Sequence, residues 1–465
     1  MARRAAGTAL LWLFCAGCAL TPDYERPELD LPTDWQVAPP SPESIANLSW
    51  WELYDDPELR RLIEVALAEN QDLATSLARI DEARYQLTFV RADQFPFIDA
   101  FGSAGRGRTP GPAGGTHNNF AIGAEISFEV DLWRKFSRAT EGARADLMTT
   151  EAAYRGVTIS LIANVASTYF LLLDLDQSYQ ISVRTAETRR NSLEIIRARF
   201  DEGTVPELDV NQAEIELSGA EASIAAFERA VIQTQNALRI LLGRYPGPIA
   251  RGLALDAQRL PPEVPAGLPS ELLQRRPDVV AAEQQLVAET AGIGVAEAFR
   301  YPSIGLTGSL GAIADELSDL NTHEAKAWNL AAGIFQPIFN SGQLKAQAMA
   351  QRARAEQALL QYEKTVRQAF REVEDALVAV RTFRLEHAAR ARQVRAARNA
   401  TRLSQARYEA GVVDYLEVLD SERTRFNSEL DESAIRRQAL NAVVGLYKAL
   451  GGGWTPEPPE PAEAP

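Results

Sequence analysis

The chain has 465 residues, with 48 Lys and Arg against 63 Asp and Glu, and a formal charge of −15. That balance argues against nucleic-acid binding, which calls for basic patches. No apolar run in the sequence reaches the roughly 20 residues of a membrane-spanning helix, although a transmembrane β-barrel would look as polar on average.

The N-terminus indicates the compartment. Arg3 and Arg4 form a basic start, 5–16 an apolar stretch, and Ala16-Gly17 precede Cys18. Such a segment is a secretory signal, too short to be an anchor. It resembles a bacterial lipoprotein signal over residues 1–17, with Cys18 lipidated as the mature N-terminus. Cys15 stands where that pattern prefers Leu, and an ordinary cleaved signal with an incidental Cys18 is the alternative. Ala19, in place of the Asp that retains such products at the inner membrane, favours outer-membrane sorting. With Cys18 the single cysteine left after cleavage, no intramolecular disulfide can form.

Four segments further along alternate with period two. The weakest is 97–104. In 120–130, Phe120, Ile122, Ile126 and Phe128 alternate with small or acidic residues. Ile304, Leu306 and Leu310 repeat the pattern in 303–310, and 327–335 follows more loosely. Lengths of about 9–11 residues suit tilted transmembrane strands. Polar segments 105–119 and 311–326 read as external loops. A soluble two-faced sheet would alternate similarly, but Gly and Ser on the polar face favour a water-filled lumen. Four strands cannot close a barrel, for which about eight are the minimum, and open edges are excluded from lipid. If the strands span a membrane, several chains must share one barrel.

After each strand pair the period changes to 3.6. Residues 343–410 hold no Gly or Pro, and 134–202 hold only Gly142 and Gly156. At about 1.5 Å per residue, each tract makes a helix roughly 100 Å long. Val366, Ala369, Phe370, Val373, Leu377 and Val380 fall at helical spacing, as do Leu161, Val165, Tyr169, Phe170 and Leu173. Gly203 and Gly411 stand where a helix end needs a left-handed residue. Pro206 suits the first turn of a following helix, and Asp414 with Glu417 resembles a capping box. Residues 199–243 align with 407–451 without a gap, so the chain is a duplication. Repeat one is expected at 18–243, with a helical hairpin over 134–242, and repeat two at 277–454, with a hairpin over 341–450. The Pro-rich stretch 244–276 links them, and 455–465 is a disordered tail. Asn70-Gln71-Asp72-Leu73 precedes the first strand pair as Arg276-Pro277-Asp278-Val279 precedes the second.

The order of these elements resembles the outer membrane factor (TolC-like) family, specifically its lipoprotein branch from tripartite efflux systems. Three motifs carry the resemblance: residues 50–59, WWELYDDPEL; residues 268–279, LPSELLQRRPDV; and residues 447–454, YKALGGGW. The resemblance implies a mainly α fold with a transmembrane β part, built from a duplicated unit of two strands plus a long helical hairpin. It implies a homotrimer whose twelve-strand β-barrel continues into a periplasmic α-helical barrel. It also implies a passive duct for small amphiphilic compounds or drugs, without catalysis or cofactor. An inner-membrane pump, proton-driven, would act with it through a periplasmic adaptor. A type I secretion duct exporting proteins is the alternative, and a lipid-anchored scaffold without a pore would need soluble strands.

By the same resemblance the hairpin tips, Gly203, Thr204 and Val205 with Gly411, Val412 and Val413, meet the adaptor. Glu417 and Asp420 match a constricting carboxylate ring, and Leu416 matches an apolar plug. In the first copy Asp209 aligns with Glu417, while Gln212 replaces Asp420. A helix-capping Glu417 and a solvated Asp420 are the competing roles. The family places a basic residue in the second tip, but residues 411–414 hold no Arg, which leaves Arg407 and Arg423 as candidate partners. His117, His323 and His387 are scattered without metal-ligand spacing. The sequence 308–311 lacks the first glycine of a nucleophile elbow, and Gly105-Arg106-Gly107 leads into no helix that could receive phosphate.

Overall fold

The computed structural model describes residues 22–37, 55–108, 110, 114–259, 267 and 269–452. Cys18, residues 50–54 of the 50–59 motif, Trp454 and the tail lie outside them. The chain divides into two compact units, one of Met1–Leu29, Arg79–Glu151 and Ala281–Lys364, the other of Asp30–Ala78, Ala152–Val280 and Thr365–Pro465. The elements run in order α1 (Pro57–Glu69), α2 (Gln71–Ala92), β1 (Phe97–Arg108), β2 (Thr116–Glu129), α3 (Lys135–Asp201), α4 (Glu207–Leu241), α5 (Leu272–Arg275), α6 (Pro277–Ala298), β3 (Ser303–Ala314), β4 (Lys326–Phe335), α7 (Gln343–Glu409) and α8 (Tyr415–Ala449).

The duplication is legible in these lengths. Helices α3 and α7 both have 67 residues, and α4 and α8 both have 35. The difference lies at the strand-to-helix joint: residues 130–134 join β2 to α3, whereas 336–342 join β4 to α7. Both joints bend through left-handed backbone, at Arg134 (φ 60°) in one and at Ser341 (φ 50°) and Gly342 (φ 82°) in the other. In the first joint Asp131 accepts from the backbone N–H of Phe136 (3.0 Å) and Ser137 (2.8 Å), satisfying donors that a helix start leaves free.

In the first unit, β1 to β4 form one antiparallel sheet in sequence order, so β1 and β4 are its edges. The register pairs Ile98 with Ile126, Ile122 with Ala312, Phe128 with Leu306 and Leu310 with Trp328. One face therefore carries most of the large apolar side chains, with Phe97, Phe101, Ile313 and Phe335 falling on the opposite face. The other carries Asp99, Ser103, Glu125, Ser127, Thr307, Ser309 and Asn329. Three strands run past their expected ends, β1 to Arg108 and β3 to Ala314, with β2 starting at Thr116. The ladder continues because backbone pairing does not require apolar alternation: Gly105 faces Asn119 and Gly107 faces His117. His117 thus belongs to a strand, where the sequence suggested a loop. At the N-terminal side of this unit, Arg26 and Tyr24 both donate to Glu283 of α6, at 2.7 and 3.0 Å.

The second unit is built on an apolar core. Leu59, Leu62, Ile63 and Ala66 of α1 pack with Tyr169, Phe170 and Leu172 of α3, Leu238 of α4, Val373 of α7 and Leu440 and Leu446 of α8. One window of α3 is long and apolar enough to cross a membrane, contrary to the sequence reading. Half of it is buried, with Val165, Tyr169 and Phe170 in this core, so its apolar character serves packing. Asp56, the N-cap of α1, anchors the same core. It accepts from the N–H of Glu58 (2.9 Å), Leu59 (3.2 Å) and Leu253 (3.2 Å), from Tyr169 Oη (3.1 Å) and from Gln258 Nε2 (2.6 Å).

The aligned tetrapeptides meet the hairpins at equivalent carbonyls. Asn70 Nδ2 donates to Leu241 O at 2.9 Å, and Arg276 Nη1 donates to Ala449 O at 3.0 Å. Each hairpin then ends on a left-handed glycine, Gly243 (φ 70°) or Gly451 (φ 74°). A Cβ on Gly243 would lie 2.1 Å from Glu69 O, so only glycine fits there.

Candidate functional site at the tips of the helical hairpins

All the proposed tip residues fall within the second unit. Each tip is a helix, a glycine in left-handed conformation and a second helix. Gly203 (φ 77°) and Gly411 (φ 69°) supply the turn. Thr204 N–H bonds to Arg199 O and Val412 N–H to Arg407 O, both at 2.9 Å, while Gly203 and Gly411 bond to Phe200 O and Tyr408 O. This is the glycine-terminated helix end that leaves few carbonyls unpaired. Pro206 stands just before α4 as its N-cap, one residue earlier than the sequence reading placed it.

The capping box does not form. Asp414 is the N-cap of α8, but its side chain makes no cap hydrogen bond. The Glu417 carboxylate turns instead to Arg407, with Nη1 at 2.7 Å from Oε1. Asp420 pairs with Arg423 at 3.1 Å. Both basic candidates therefore engage a carboxylate, within one chain. Leu416 and its counterpart Leu208 are 63% and 62% exposed, and Val412 is also exposed. Asp209 is half-buried, and its carboxyl is pushed upward by burial and by the nearby charge of Asp414. A carboxylate of the second tip thus acts electrostatically on one of the first.

Beneath the tips the two hairpins differ. The first closes on Leu193, Ile196, Ala213, Leu217 and Ala220, against which Tyr415, Val418 and Leu419 of α8 pack. The aligned seam of the second hairpin is hydroxylic. Thr401 Oγ1 donates to Ser421 O at 3.0 Å, and the Ser404 and Ser421 hydroxyls lie 2.6 Å apart. Arg199 stacks over the Tyr408 ring at 4.9 Å, whereas the aligned Arg407 holds Glu417.

A buried charged group that the sequence reading missed lies beside this seam. Arg189 is 5% exposed and holds Glu216, both at its backbone oxygen and its carboxylate, at 2.7 Å. Glu422 is 7% exposed, and its Oε1 has no hydrogen-bond partner among the described residues. Burial pushes the Glu422 carboxyl upward and Glu216 adds to this, while Arg189 and Arg425 oppose it. For the hydroxylic seam, a comparison of the repeats holds the signal, because Leu193, Ile196 and Ala213 align with Thr401, Ser404 and Ser421. Among the described residues no group of His, Cys, Asp and Glu gathers as a metal site.

The same architecture occurs in known proteins. Residues 62–244 and 268–452 match the family model described as outer membrane efflux protein, once for each repeat. The probable efflux pump outer membrane protein TtgC of Pseudomonas putida is 36% identical over 451 residues, covering 94% of this chain and 93% of that protein. The cation efflux system protein CusC of Escherichia coli is 31% identical over 448 residues, covering 95% and 97%. The open-state structure of the Neisseria gonorrhoeae MtrE outer membrane channel superposes with a TM-score of 0.85 at 32% identity, covering 94% and 98%. With two matched repeats, a four-stranded sheet and two equal hairpins, this chain belongs to the outer membrane efflux protein family.

Proposed function

We propose that the chain is the outer-membrane exit duct of a tripartite efflux system, working as a homotrimer. Small amphiphilic compounds or drugs are passed to it by an inner-membrane, proton-driven pump through a periplasmic adaptor, and it conducts them passively. The observation that carries this reading is the sheet. It has an apolar face, a polar face and two open edges, β1 and β4. Open edges are excluded from lipid and four strands are too few to close, so pairing β4 of one copy with β1 of the next supplies the missing bonds. The polar face, with its Gly, Ser and carboxylate residues, then lines a wet lumen.

Leu416, Glu417, Asp420 and Asp209 form the periplasmic constriction in this reading, and residues 203–205 and 411–413 meet the adaptor. A lipid on Cys18 is the second membrane attachment. Support for the constriction comes from the exposure of Leu416 and from the approach of Asp209 to Asp414. Purified full-length protein is expected to have the mass of three chains and to conduct ions in planar bilayers. A monomer that forms no channel would sink the proposal.

A further inference from the structure

The register of the sheet partitions charge completely between its faces. On the apolar face the only charged residues are Arg106 and Arg108 of β1 and Lys326 of β4. On the opposite face the only charged residues are carboxylates, Asp99, Glu125 and Glu129. The three cations are exposed and lie at the turn ends of their strands, away from the helices that enter β1 and leave β2 and β4. Among the described residues none of them is in an ion pair, whereas Lys135 at the helical end is paired with Glu129 at 2.5 Å.

Two further observations define the setting. Trp328, 74% exposed, lies two residues inward from Lys326 on the same face. Aromatic side chains at that position mark the membrane–water boundary of transmembrane barrels, which places Lys326 at headgroup level. The cations also occupy only the edge strands. At the turn ends of β2 and β3 the same face carries Thr116, Asn118, Ala312 and Ala314. A β4-to-β1 junction between copies therefore collects Lys326 of one with Arg106 and Arg108 of the next.

We propose that this junction holds the phosphate of an anionic outer-leaflet glycolipid, one site per subunit seam. The fixed fork of each guanidinium and the ammonium offer charge-assisted hydrogen bonds to phosphate oxygens. The apolar band below takes the acyl chains. The proposal rests on the shared barrel of the preceding section.

Native mass spectrometry of the full-length protein, titrated with diphosphorylated lipid A, tests it. The wild-type trimer is expected to take up to three lipids. A variant carrying Arg106→Ala, Arg108→Ala and Lys326→Ala is expected to remain trimeric and conducting, yet bind at least about tenfold more weakly. Dephosphorylated lipid A should bind both proteins equally poorly. A trimeric triple variant with wild-type affinity, or equal affinity of the wild type for dephosphorylated lipid, would overturn the lipid contact. A monomeric wild type that loses lipid A on the same substitutions would overturn the shared barrel and the seam, and so separates the two failures.

Discussion

Arg407 holds Glu417 at 2.7 Å across the second hairpin tip, where its repeat counterpart Arg199 stacks on Tyr408 instead. The same arginine thus serves an ion pair in one copy and an aromatic contact in the other. The difference follows from the neighbours: the second tip carries Glu417, Asp420 and Arg423, and the first carries Asp209 and Gln212. Both ion pairs at the second tip are exposed, and exposed pairs are worth about 0–1 kcal/mol. In the proposed constriction, charges held this loosely would suit a contact that opens.

The double variant Glu417→Ala, Asp420→Ala is expected to fold with the stability of the parent. Its channel should show higher conductance and lower cation preference, because clustered carboxylates in a narrow pore attract counter-ions. Single-channel recording with asymmetric salt checks this; unchanged conductance and selectivity would remove these residues from the constriction.

Arg276 is buried, and its guanidinium reaches Asp278 at 2.6 Å, Glu372 at 2.7 Å and Ala449 O at 3.0 Å. Arg276→Ala leaves a helix-terminal carbonyl unpaired and is expected to cost about 2 kcal/mol. Arg276→Lys should recover only part of this, since an ammonium cannot reproduce the fork. Denaturant titration of the two variants provides the measure, and equal stability of Lys and Arg would contradict the assignment.

Asp56 serves five donors from three parts of the second unit. Asp56→Ala removes a helix cap and strands buried donors together, for an expected loss of about 3 kcal/mol. Limited proteolysis should show new cleavage around 250–259; an unchanged digest would show that the segment is held elsewhere.

Glu422 has a folded-state pKa raised by burial and by Glu216, against Arg189 and Arg425. The folded state therefore holds the proton more tightly than the unfolded one, and stability at this site rises as pH falls through the raised value. Amide protection factors over 415–425, corrected for the pH dependence of intrinsic exchange, should be higher in mild acid than at neutral pH, and Glu422→Gln should abolish that difference. A variant that keeps the full pH response would place its origin elsewhere, with Asp209, also raised, as the next group to substitute.

The triple variant Thr401→Leu, Ser404→Ile, Ser421→Ala copies the first hairpin's seam into the second. Replacing hydrogen-bonded partners together avoids stranding one of them, and each added buried aliphatic group contributes roughly 1 kcal/mol. Slower exchange and reduced channel opening are the expected outcomes. Faster exchange would mean that the hydroxyl seam packs better than an apolar one.

The sequence by itself determined the duplication, the long helices, the hairpin turns and the four alternating segments. Each is a local matter of period, glycine placement or the absence of helix breakers. It also carried the family resemblance, because motif order is a linear property. Tertiary structure decided the partners. Glu417 abandons a cap for Arg407, and Arg276 finds a carbonyl that in sequence lies far away. The strands extend past their apolar alternation, because backbone pairing sets their ends. Burial of Glu422 beside Arg189 depends on how α3 meets α8, and no local pattern encodes that. Ion pairing and desolvation act through space, so their outcome is fixed only when distant segments have packed.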